Sequence, residues 1–289
     1  NVAELVNGGK TDINITLEKN IDLTGKDWTP IGTDYDNSYK GTFDGGGHTI
    51  TGLTFTTNDE YAGLFGWLNR AGTVKNVVME GVQITSNQIY GGSIGGVVGY
   101  SWGTIENCSV SGSVSGTNCV GGVVGSQKAG STIGCSSSAI VKGTRYVGGV
   151  AGEKWGTMTA CYATGNVTLE IGSQNNLSGG GVVGLSGGNR VLACYAIGNV
   201  NSKGGSTGNV HIGGLLGDNY TAVTACYWKN NQEQGFGSNQ HSTAPEATKV
   251  DGTTVTWKNA VDDMNTALQN AGSVWRYELN GALPTLRKQ

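Results

Sequence analysis

The sequence predicts an all-β fold, a single-stranded parallel β-helix (a solenoid) of about eight rungs with short helical or irregular caps at both ends. Three observations lead to this prediction. Glycine supplies 51 of the 289 residues and proline only 3, which indicates many tight turns without a collagen or linker composition. A glycine-rich core recurs six times along the chain. The β-branched and polar segments between the cores show no helical period.

Each repeat contains a glycine-hydrophobic core that closes on a glycine. The cores run from Ala62-Gly63-Leu64-Phe65-Gly66 to Gly213-Gly214-Leu215-Leu216-Gly217. Steps of 33, 26, 27, 32 and 33 residues separate the closing glycines, which are Gly66, Gly99, Gly125, Gly152, Gly184 and Gly217. One such unit cannot bury its apolar face, but units stacked about 4.8 Å apart pair each strand with its copies above and below.

The two ends of the chain lack the repeat and are expected to cap it. Residues 1–60 are predicted to form an N-terminal cap and the first rungs, beginning with a short helix from Val2 to Asn7. Residues 61–228 hold the six repeats, and residues 229–289 form a C-terminal cap with a short helix near 259–271. Caps are needed because a β-helix has unpaired strand edges at both ends.

The charge and hydropathy of the chain exclude some classes of protein. Eighteen basic against 21 acidic residues give a net charge of −3, which excludes a basic nucleic-acid-binding face. No stretch approaches the roughly 20 apolar residues of a membrane-spanning helix. The chain begins at Asn1 without a visible signal peptide, so we interpret it as a mature or excised piece, and we expect a monomer.

The repeat cores and the segment before them resemble a known family. Gly-Leu-Phe-Gly at 63–66, its Gly-Gly-Val-Val-Gly successors, and the run Gly41-Thr42-Phe43-Asp44-Gly45-Gly46-Gly47-His48-Thr49-Ile50 are similar to GLUG-repeat proteins. Such repeats occur in bacterial surface proteins, adhesins and the non-catalytic N-terminal region of immunoglobulin-A-specific metallo-endopeptidases. The resemblance implies a right-handed β-helix, an adhesive role, and an extracellular or cell-surface location after removal of a signal or lipoprotein anchor. It implies no catalytic residues, and the zinc-binding H-E-x-x-H motif is absent from this sequence.

Five of the six cysteines recur nine or ten residues after a closing glycine. They are Cys108, Cys135, Cys161, Cys194 and Cys226, and Val77 holds the matching place in the first repeat. Zinc sites need closely spaced pairs, so a ladder of buried thiols acting as small apolar side chains fits better than a metal or redox site. Stacked side chains point the same way, a poor geometry for disulfides. We expect six free thiols, with Cys119 on a different wall.

The ionisable residues do not suggest catalysis, a metal or a cofactor. Glycosidases need two facing carboxylates, whereas Glu80, Glu106, Glu153, Glu170 and Asp218 read as scattered in register. Asp34 and Asp36 could bind calcium, although a solvated loop explains them more simply. His48 has no partner at fixed spacing and is interpreted as a turn residue.

The aromatic residues give a more specific hypothesis. Trp102, Trp155 and Tyr220 each lie three residues after a closing glycine, so on alternate rungs they would stand about 10 Å apart along one edge. Such a row can bind a chain lengthwise, although rings that only shield the turns would have the same spacing. Insertions near 86–93, 170–178 and 201–210 are expected to form loops on one wall, a second candidate surface.

The sequence therefore predicts a non-enzymatic extracellular module, an adhesin or a region that binds a host or matrix protein or glycan. Two alternatives stay open. One is a β-helix enzyme, a lyase or hydrolase acting on polysaccharide, which would need clustered acids and a basic residue in a cleft. The other is a passive surface stalk, which would have neither a cleft nor ordered aromatic residues.

Overall fold

A computed structural model describes residues 2–88, 91–172, 175–205 and 208–289. The chain forms a right-handed parallel β-helix with two helices, α1 (Val2–Asn7) and α2 (Trp257–Asn270), and one C-terminal hairpin (Trp275–Asn280 and Leu283–Lys288). The predicted fold class is confirmed. The C-terminal helix begins two residues before the range expected from its apolar spacing.

Each complete rung passes through four parallel sheets, which we number 1 to 4 along the chain. The second repeat shows the order, with Ser93–Gly95 in sheet 1, Val98–Ser101 in sheet 2, Thr104–Glu106 in sheet 3 and Ser109–Ser115 in sheet 4. Strands of successive rungs pair in parallel at matched positions of the repeat. The rung spacing of about 4.8 Å therefore applies to every repeated side chain.

Sheets 1 and 2 meet at the glycine-rich core of each repeat, and each closing glycine is the second residue of a strand of sheet 2. Sheet 1 has six strands, which are Tyr61–Ala62, Ser93–Gly95, Cys119–Gly121, Tyr146–Gly148, Leu177–Gly180 and Val210–Gly213. Sheet 2 has seven strands, which are Phe65–Leu68, Val98–Ser101, Val124–Gln127, Ala151–Lys154, Val183–Ser186, Leu216–Asn219 and Phe236–Asn239. Inward apolar residues of these strands and of sheets 3 and 4 form one continuous core along the solenoid.

Sheets 3 and 4 include the first rungs before the repeats begin. Sheet 3 has eight strands, which are Ile15–Thr16, Thr42–Asp44, Thr73–Lys75, Thr104–Glu106, Ser131–Ile133, Thr157–Thr159, Val191–Leu192 and Val223–Thr224. Sheet 4 has thirteen strands, which are Ile21–Asp22, Thr49–Thr51, Thr54–Thr57, Val78–Ser86, Ser109–Ser115, Ser136–Ser137, Ile140–Gly143, Tyr162–Ala163, Val167–Glu170, Tyr195–Ala196, Val200–Lys203, Cys226–Trp228 and Ala247–Lys249.

The glycines of the repeat lie where neighbouring rungs approach most closely. A Cβ atom added to Gly125 would lie 2.3 Å from the backbone nitrogen of Ile94 in the preceding rung. A Cβ on Gly122 would lie 2.3 Å from the carbonyl oxygen of Gly149 in the following rung. Real Cβ atoms do not approach other atoms this closely, so the corner between sheets 1 and 2 requires glycine on both sides.

The corner between sheets 3 and 4 is a left-handed turn in every repeat. The residue at this turn has a φ of 49° to 63°, and the positions are Asn76, Asn107, Gly134, Ala160, Ala193 and Ala225. Asparagine tolerates this conformation better than other side chains do. The Asn107 side chain also donates to Oδ1 of Asn76 at 2.8 Å, and Asn76 donates to Asp44 at 2.9 Å. Hydrogen bonds between rungs thus support the first of these turns.

The cysteines directly after these turns point into the core. Cys108, Cys135, Cys161, Cys194 and Cys226 are all buried and free, and Val77 is buried in the corresponding place. The backbone nitrogen of Cys161 lies 3.4 Å from Sγ of Cys194, whose own nitrogen lies 3.3 Å from Sγ of Cys226. Cys119 is separate, in sheet 1, where burial raises its pKa to about 12.

The N-terminal helix is held against the first rungs by one asparagine. Asn7 accepts from the backbone nitrogen of Gly32 at 2.8 Å and donates to the carbonyl of Pro30 at 3.0 Å. Ala3 and Val6 are buried and join the main core. This helix therefore covers apolar side chains of the first turn of the solenoid.

The C-terminal segment packs along the flank of the solenoid as well as near its end. Helix α2 begins with a capping box, in which Thr256 and Asn259 bond reciprocally. Trp257, Met264 and Leu268 pack in a second apolar cluster on the outside of the turn between sheets 3 and 4, where Ala160 and Ala193 are small enough to allow close approach. The hairpin after α2 extends further back, and its Lys288 bonds Glu106 at 2.7 Å.

The closing glycines give a test of the close approach between rungs. We expect Gly125→Ala to lower the free energy of unfolding by about 1–3 kcal/mol, the usual cost of forcing extra atoms into a packed site. Gly205→Ala is the matched control, because a Cβ there meets no atom of the described residues within 4 Å. Urea denaturation followed by circular dichroism measures both variants. Equal midpoints would contradict this account of the corner.

The buried thiols give a second test. The native protein is expected to leave its cysteines unmodified by dithionitrobenzoate at neutral pH, because burial raises the pKa of thiols such as Cys108, Cys161 and Cys226 and blocks access. After unfolding in guanidinium without reductant, all 6 cysteines should react. A titre clearly below that number would show a disulfide and overturn the free-thiol ladder.

Candidate functional site

Five aromatic rings from three parts of the chain meet outside the first repeats. We call this group the aromatic patch, and its members are Tyr35, Tyr61, Trp67, Tyr100 and Trp102. Trp67 and Tyr100 pair across adjacent strands of sheet 2, each directly after a closing glycine. Tyr61 comes from the first strand of sheet 1, and Tyr35 from the loop before the repeats.

The rings of the patch contact one another mostly at their edges. Tyr35 meets Trp67 and Trp102 with ring centroids 5.9 Å away and interplanar angles of 79° and 71°. Trp67 and Tyr100 are closest, at 4.3 Å and 46°. Tyr35 is 57% exposed, and the other four rings are half-buried. The result is a rounded aromatic surface with a solvent-facing ring above it.

Two polar groups belong to the patch. Tyr61 donates its hydroxyl to Glu60 at 2.7 Å, and burial together with this carboxylate raises the pKa of Tyr61. The Nε1 atom of Trp67 is buried, and among the described residues it has no hydrogen-bond partner. A buried donor without an acceptor costs about 1–3 kcal/mol. The indole N–H of Trp67 can therefore still donate a hydrogen bond, beneath the outer rings of the patch.

The three aromatic residues singled out in the sequence do not form one cluster. Trp102 belongs to the patch, whereas Trp155 and Tyr220 are 42% and 49% exposed at the same outward position of later rungs. The Trp155 ring lies against Gly187, where an added Cβ would come within 2.8 Å of it. Trp155 thus shields the next turn, as the simpler interpretation has it, and the role of all three in binding stays a prediction.

Most of the patch, and the alignment of two carboxylates, were not predicted from the sequence. The residue after each closing glycine shares one outward register, which holds Trp67, Tyr100, Ser126, Glu153, Leu185 and Asp218. Glu153 and Asp218 are therefore aligned two rungs apart, and the expectation that they are scattered was wrong. The position after the glycine was a readable signal for Trp67 and Tyr100, but nothing in the repeat indicated Tyr35.

Glu153 is fully engaged by its neighbours. Its carboxylate accepts from Ser126 at 2.9 Å, from Lys128 at 2.6 Å and from Nε1 of Trp155 at 2.7 Å. Burial alone would raise the pKa of Glu153, but the hydrogen bonds from Lys128, Trp155 and Ser126 outweigh it and hold the pKa below its usual value. This arrangement fixes the Trp155 ring and leaves no oxygen directed at a substrate.

The structure brings together a serine, a histidine and an aspartate that sequence reasoning did not group. Ser178 donates its hydroxyl to Asp218, and Nδ1 of His211 lies 2.5 Å from the other carboxylate oxygen. In a hydrolytic triad the histidine stands between the serine and the aspartate, so that it can take the serine proton. Here the aspartate is in the middle and Ser178 is buried, which makes this a structural cluster between rungs.

Lys154 is the most unusual ionisable group of the core. Its side chain is buried, and Nζ donates to the carbonyl oxygens of Gly187 and Asn189 in the following rung. Burial lowers the pKa of Lys154 to about 7. A neutral lysine can act as a nucleophile, but this one has no path from solvent and so cannot meet a substrate.

The predicted insertions lie at one corner of the solenoid, between sheets 4 and 1. Glu170 pairs with Lys203 near the start of the second and third insertions, and Leu177 pairs with Val210 near their end. Part of each insertion, at 89–90, 173–174 and 206–207, lies outside the described residues.

Within the described parts of the chain, no group of three or more His, Cys, Asp or Glu side chains is placed to hold a metal ion. The two helices that the structure describes are too short or too polar to cross a membrane.

Comparison with known proteins supports the class of protein that this fold indicates. The model of the GLUG motif matches residues 90–115. Over 124 residues, 39% of this chain, the sequence is 38% identical to halomucin of Haloquadratum walsbyi, and the match covers 1% of that protein. Over 103 residues, 32% of the chain, it is 37% identical to a "putative Gly-rich membrane protein" of Evansella cellulosilytica, covering 12% of it. The chain therefore spans a small part of these relatives.

A solved structure shares the whole fold. The crystal structure of a "putative immunoglobulin A1 protease" from Bacteroides ovatus superposes on this chain with a TM-score of 0.71 at 20% identity. The match covers 99% of this chain and 89% of the other. The protein is thus a β-helix that carries the GLUG motif. The resemblance to GLUG-repeat surface proteins read from the sequence is confirmed.

The buried lysine gives a pH-dependent prediction. The pKa of Lys154 is about 7 when folded, against 10.5 as the model value for an exposed lysine, so between these values the unfolded chain binds more protons. The contribution of Lys154 to stability should therefore rise as the pH increases from 7 to 9. Unfolded thiols, whose usual pKa is 9.0, begin to ionise in the same range while Cys119, with a pKa of about 12, does not, which favours unfolding. The contribution of Lys154 is therefore measured as a difference between two proteins with the same thiols.

Thermal unfolding at several pH values measures this effect, with Lys154→Gln as the comparison. Gln127 occupies the equivalent place one rung earlier, so glutamine is compatible with the fold. Between pH 7 and 9 the melting temperature of the unmodified chain should rise relative to that of the variant. An identical slope in both proteins would show that Lys154 is not the titrating group.

Proposed function

We propose that this chain is a non-enzymatic extracellular or cell-surface module that binds a host or matrix macromolecule through the aromatic patch. The observation that carries the proposal is the patch itself, five Tyr and Trp rings on one outer surface with Tyr35 57% exposed. Tyrosine and tryptophan dominate the residues that contribute most to binding at protein interfaces. A passive stalk needs no such concentration of rings.

The shape of the patch favours a polypeptide over a flat sugar surface. Tyr35 stands nearly perpendicular to Trp67 and Trp102, so the group offers a ring edge above half-buried faces. Clustered rings of this kind, rimmed by polar groups such as Glu60, resemble the desolvated centre of a protein interface. A platform for an extended polysaccharide would instead present several coplanar faces.

The surface location rests on the relatives and on composition. One relative is described as a membrane protein, another is a halomucin, and the superposed structure is described as a protease of the immunoglobulin A1 type. These descriptions support the inference that this chain has an extracytoplasmic role. The low charge and the absence of a basic face fit a display module better than a nucleic-acid partner.

The ionisable clusters support a binding role over a catalytic one. A polysaccharide hydrolase needs two carboxyl groups facing one bond. Glu153 is engaged by Ser126, Lys128 and Trp155, and Asp218 by Ser178 and His211. Both carboxylates are buried and hold neighbouring rungs together, which supports a structural role over attack on a glycosidic bond.

Substitutions in the patch test the proposal. The purified chain is applied to arrays of extracellular-matrix proteins and glycans, beside a polysaccharide-degradation assay, and bound partners are titrated by biolayer interferometry. Trp102→Ala and Tyr35→Ala should each weaken binding by roughly tenfold or more, as expected for residues at the centre of an interface.

Trp155→Ala is the matched control, because this ring is exposed at the equivalent position of a later rung but lies outside the patch. Its binding should equal that of the unmodified chain, and circular dichroism should show all three variants folded. Unchanged affinity of Trp102→Ala and Tyr35→Ala, or turnover of a polysaccharide, would contradict the proposed function.

A further inference from the structure

A groove runs over the outer face of sheet 4, beneath the C-terminal hairpin. We call it the hairpin groove. Its floor includes Val78, Ser109 and Ser136, with Tyr162 at one end and Pro284 of the hairpin along one side. The volume is about 310 Å³, and a recess of about 130 Å³ continues it beside Leu286. This size is at the lower end of small-ligand sites, which hold roughly 300–1,000 Å³.

The groove exists because a ladder of aromatic rings stops at its edge. One outward position of sheet 4 holds, in successive rungs, Val78, Ser109, Ser136, Tyr162 and Tyr195. Tyr162 and Tyr195 stack in parallel, with centroids 4.8 Å apart and an interplanar angle of 1°. The small serines of the two preceding rungs leave the other face of Tyr162 uncovered. A flat ring placed over Ser136 would be the next member of the stack.

The polar atoms of the groove are available for hydrogen bonds. In the described structure, the hydroxyl groups of Ser109, Ser136, Tyr162 and Thr164 have no hydrogen-bond partner, and all four residues line the groove. Ser111 and Ser138 donate to backbone carbonyls at 3.5 Å, and Ser111 also accepts from the backbone nitrogen of Gly81 at 3.2 Å. The groove thus combines the apolar face of Tyr162 with hydroxyl groups around it. A pyranose ring has the complementary features, an apolar face of C–H groups and hydroxyl groups at its edge.

The hairpin gives the groove a fixed wall. Tyr195 donates its hydroxyl to the carbonyl of Pro284, and Tyr277 donates to the carbonyl of Ala193 at 2.9 Å. These bonds hold the hairpin against sheet 4, so the opening is formed before any ligand arrives. The described lining residues include one carboxylate, Glu80, and no lysine or arginine, which disfavours an anionic ligand.

We propose that the hairpin groove binds one neutral pyranose unit of a glycan. The apolar face of the sugar stacks on the free face of Tyr162, and its hydroxyl groups bond Ser109 and Ser136. The site is on sheet 4, whereas the aromatic patch is on sheet 2, so this inference is independent of the proposed function and concerns a second ligand.

Saturation-transfer NMR tests the site with four methyl pyranosides as probes, those of glucose, galactose, N-acetylglucosamine and glucuronic acid. At least one neutral pyranoside should show transfer concentrated on the protons of one ring face. Tyr162→Ala should weaken its binding by roughly tenfold, as expected for loss of a stacking contact. Ser136→Tyr should abolish binding, because the new ring fills the place over Tyr162.

Ser131→Tyr provides the matched control, since Ser131 is a half-buried position of sheet 3 away from the groove. It should bind the same pyranoside as the unmodified chain does, and so should Trp102→Ala in the patch. If Ser136→Tyr fails to fold, the pyranoside affinity of Tyr162→Ala still tests the proposal. Absence of transfer to every neutral pyranoside, transfer to the glucuronide alone, or equal binding by the unmodified chain and Tyr162→Ala would overturn the proposal.

Discussion

The whole structure depends on the close approach of backbones at the corner between sheets 1 and 2. Glycines such as Gly122 and Gly125 lie there within van der Waals range of the rungs on either side, with no space for a Cβ atom. This approach keeps all rungs in one register, because a shift of even one residue would bring a side chain into the corner. The buried ladder of thiols and the left-handed turns follow from the same register.

A fixed register turns the outside of the solenoid into columns of equivalent positions. Each rung contributes one residue to each column. Both candidate sites lie where the residue type in a column changes between aromatic and small side chains. After the closing glycine, Trp67 and Tyr100 give way to Ser126, which ends the aromatic patch. In sheet 4, Ser136 gives way to Tyr162, which opens the hairpin groove. The main core, by contrast, is lined by apolar side chains, with buried polar residues such as Gln127 and Lys154 in one column of sheet 2.

The sequence allowed prediction of the parts that repeat and concealed the parts that do not. The spacing of Gly99 and Gly125 predicted the rungs, and the position of Cys135 predicted a buried thiol. The column of Glu153 and Asp218 was readable from the same spacing but was not recognised. Tyr35 joins the patch from a loop without repeat character, and the groove needs Pro284 to meet Tyr195 across 89 residues. Contacts between residues so far apart in the sequence leave no local pattern in it.

The long-range contacts of the hairpin have a consequence for the order of folding. Successive rungs pair residues about 26–33 positions apart, so the stack can grow one unit at a time. Lys288 instead meets Glu106 across 182 residues, and Tyr277 meets Ala193 across 84. The surface that receives the hairpin exists only after those rungs have paired. Docking of the hairpin is therefore a late event, and it joins the second repeat to the final segment of the chain in one cooperative unit.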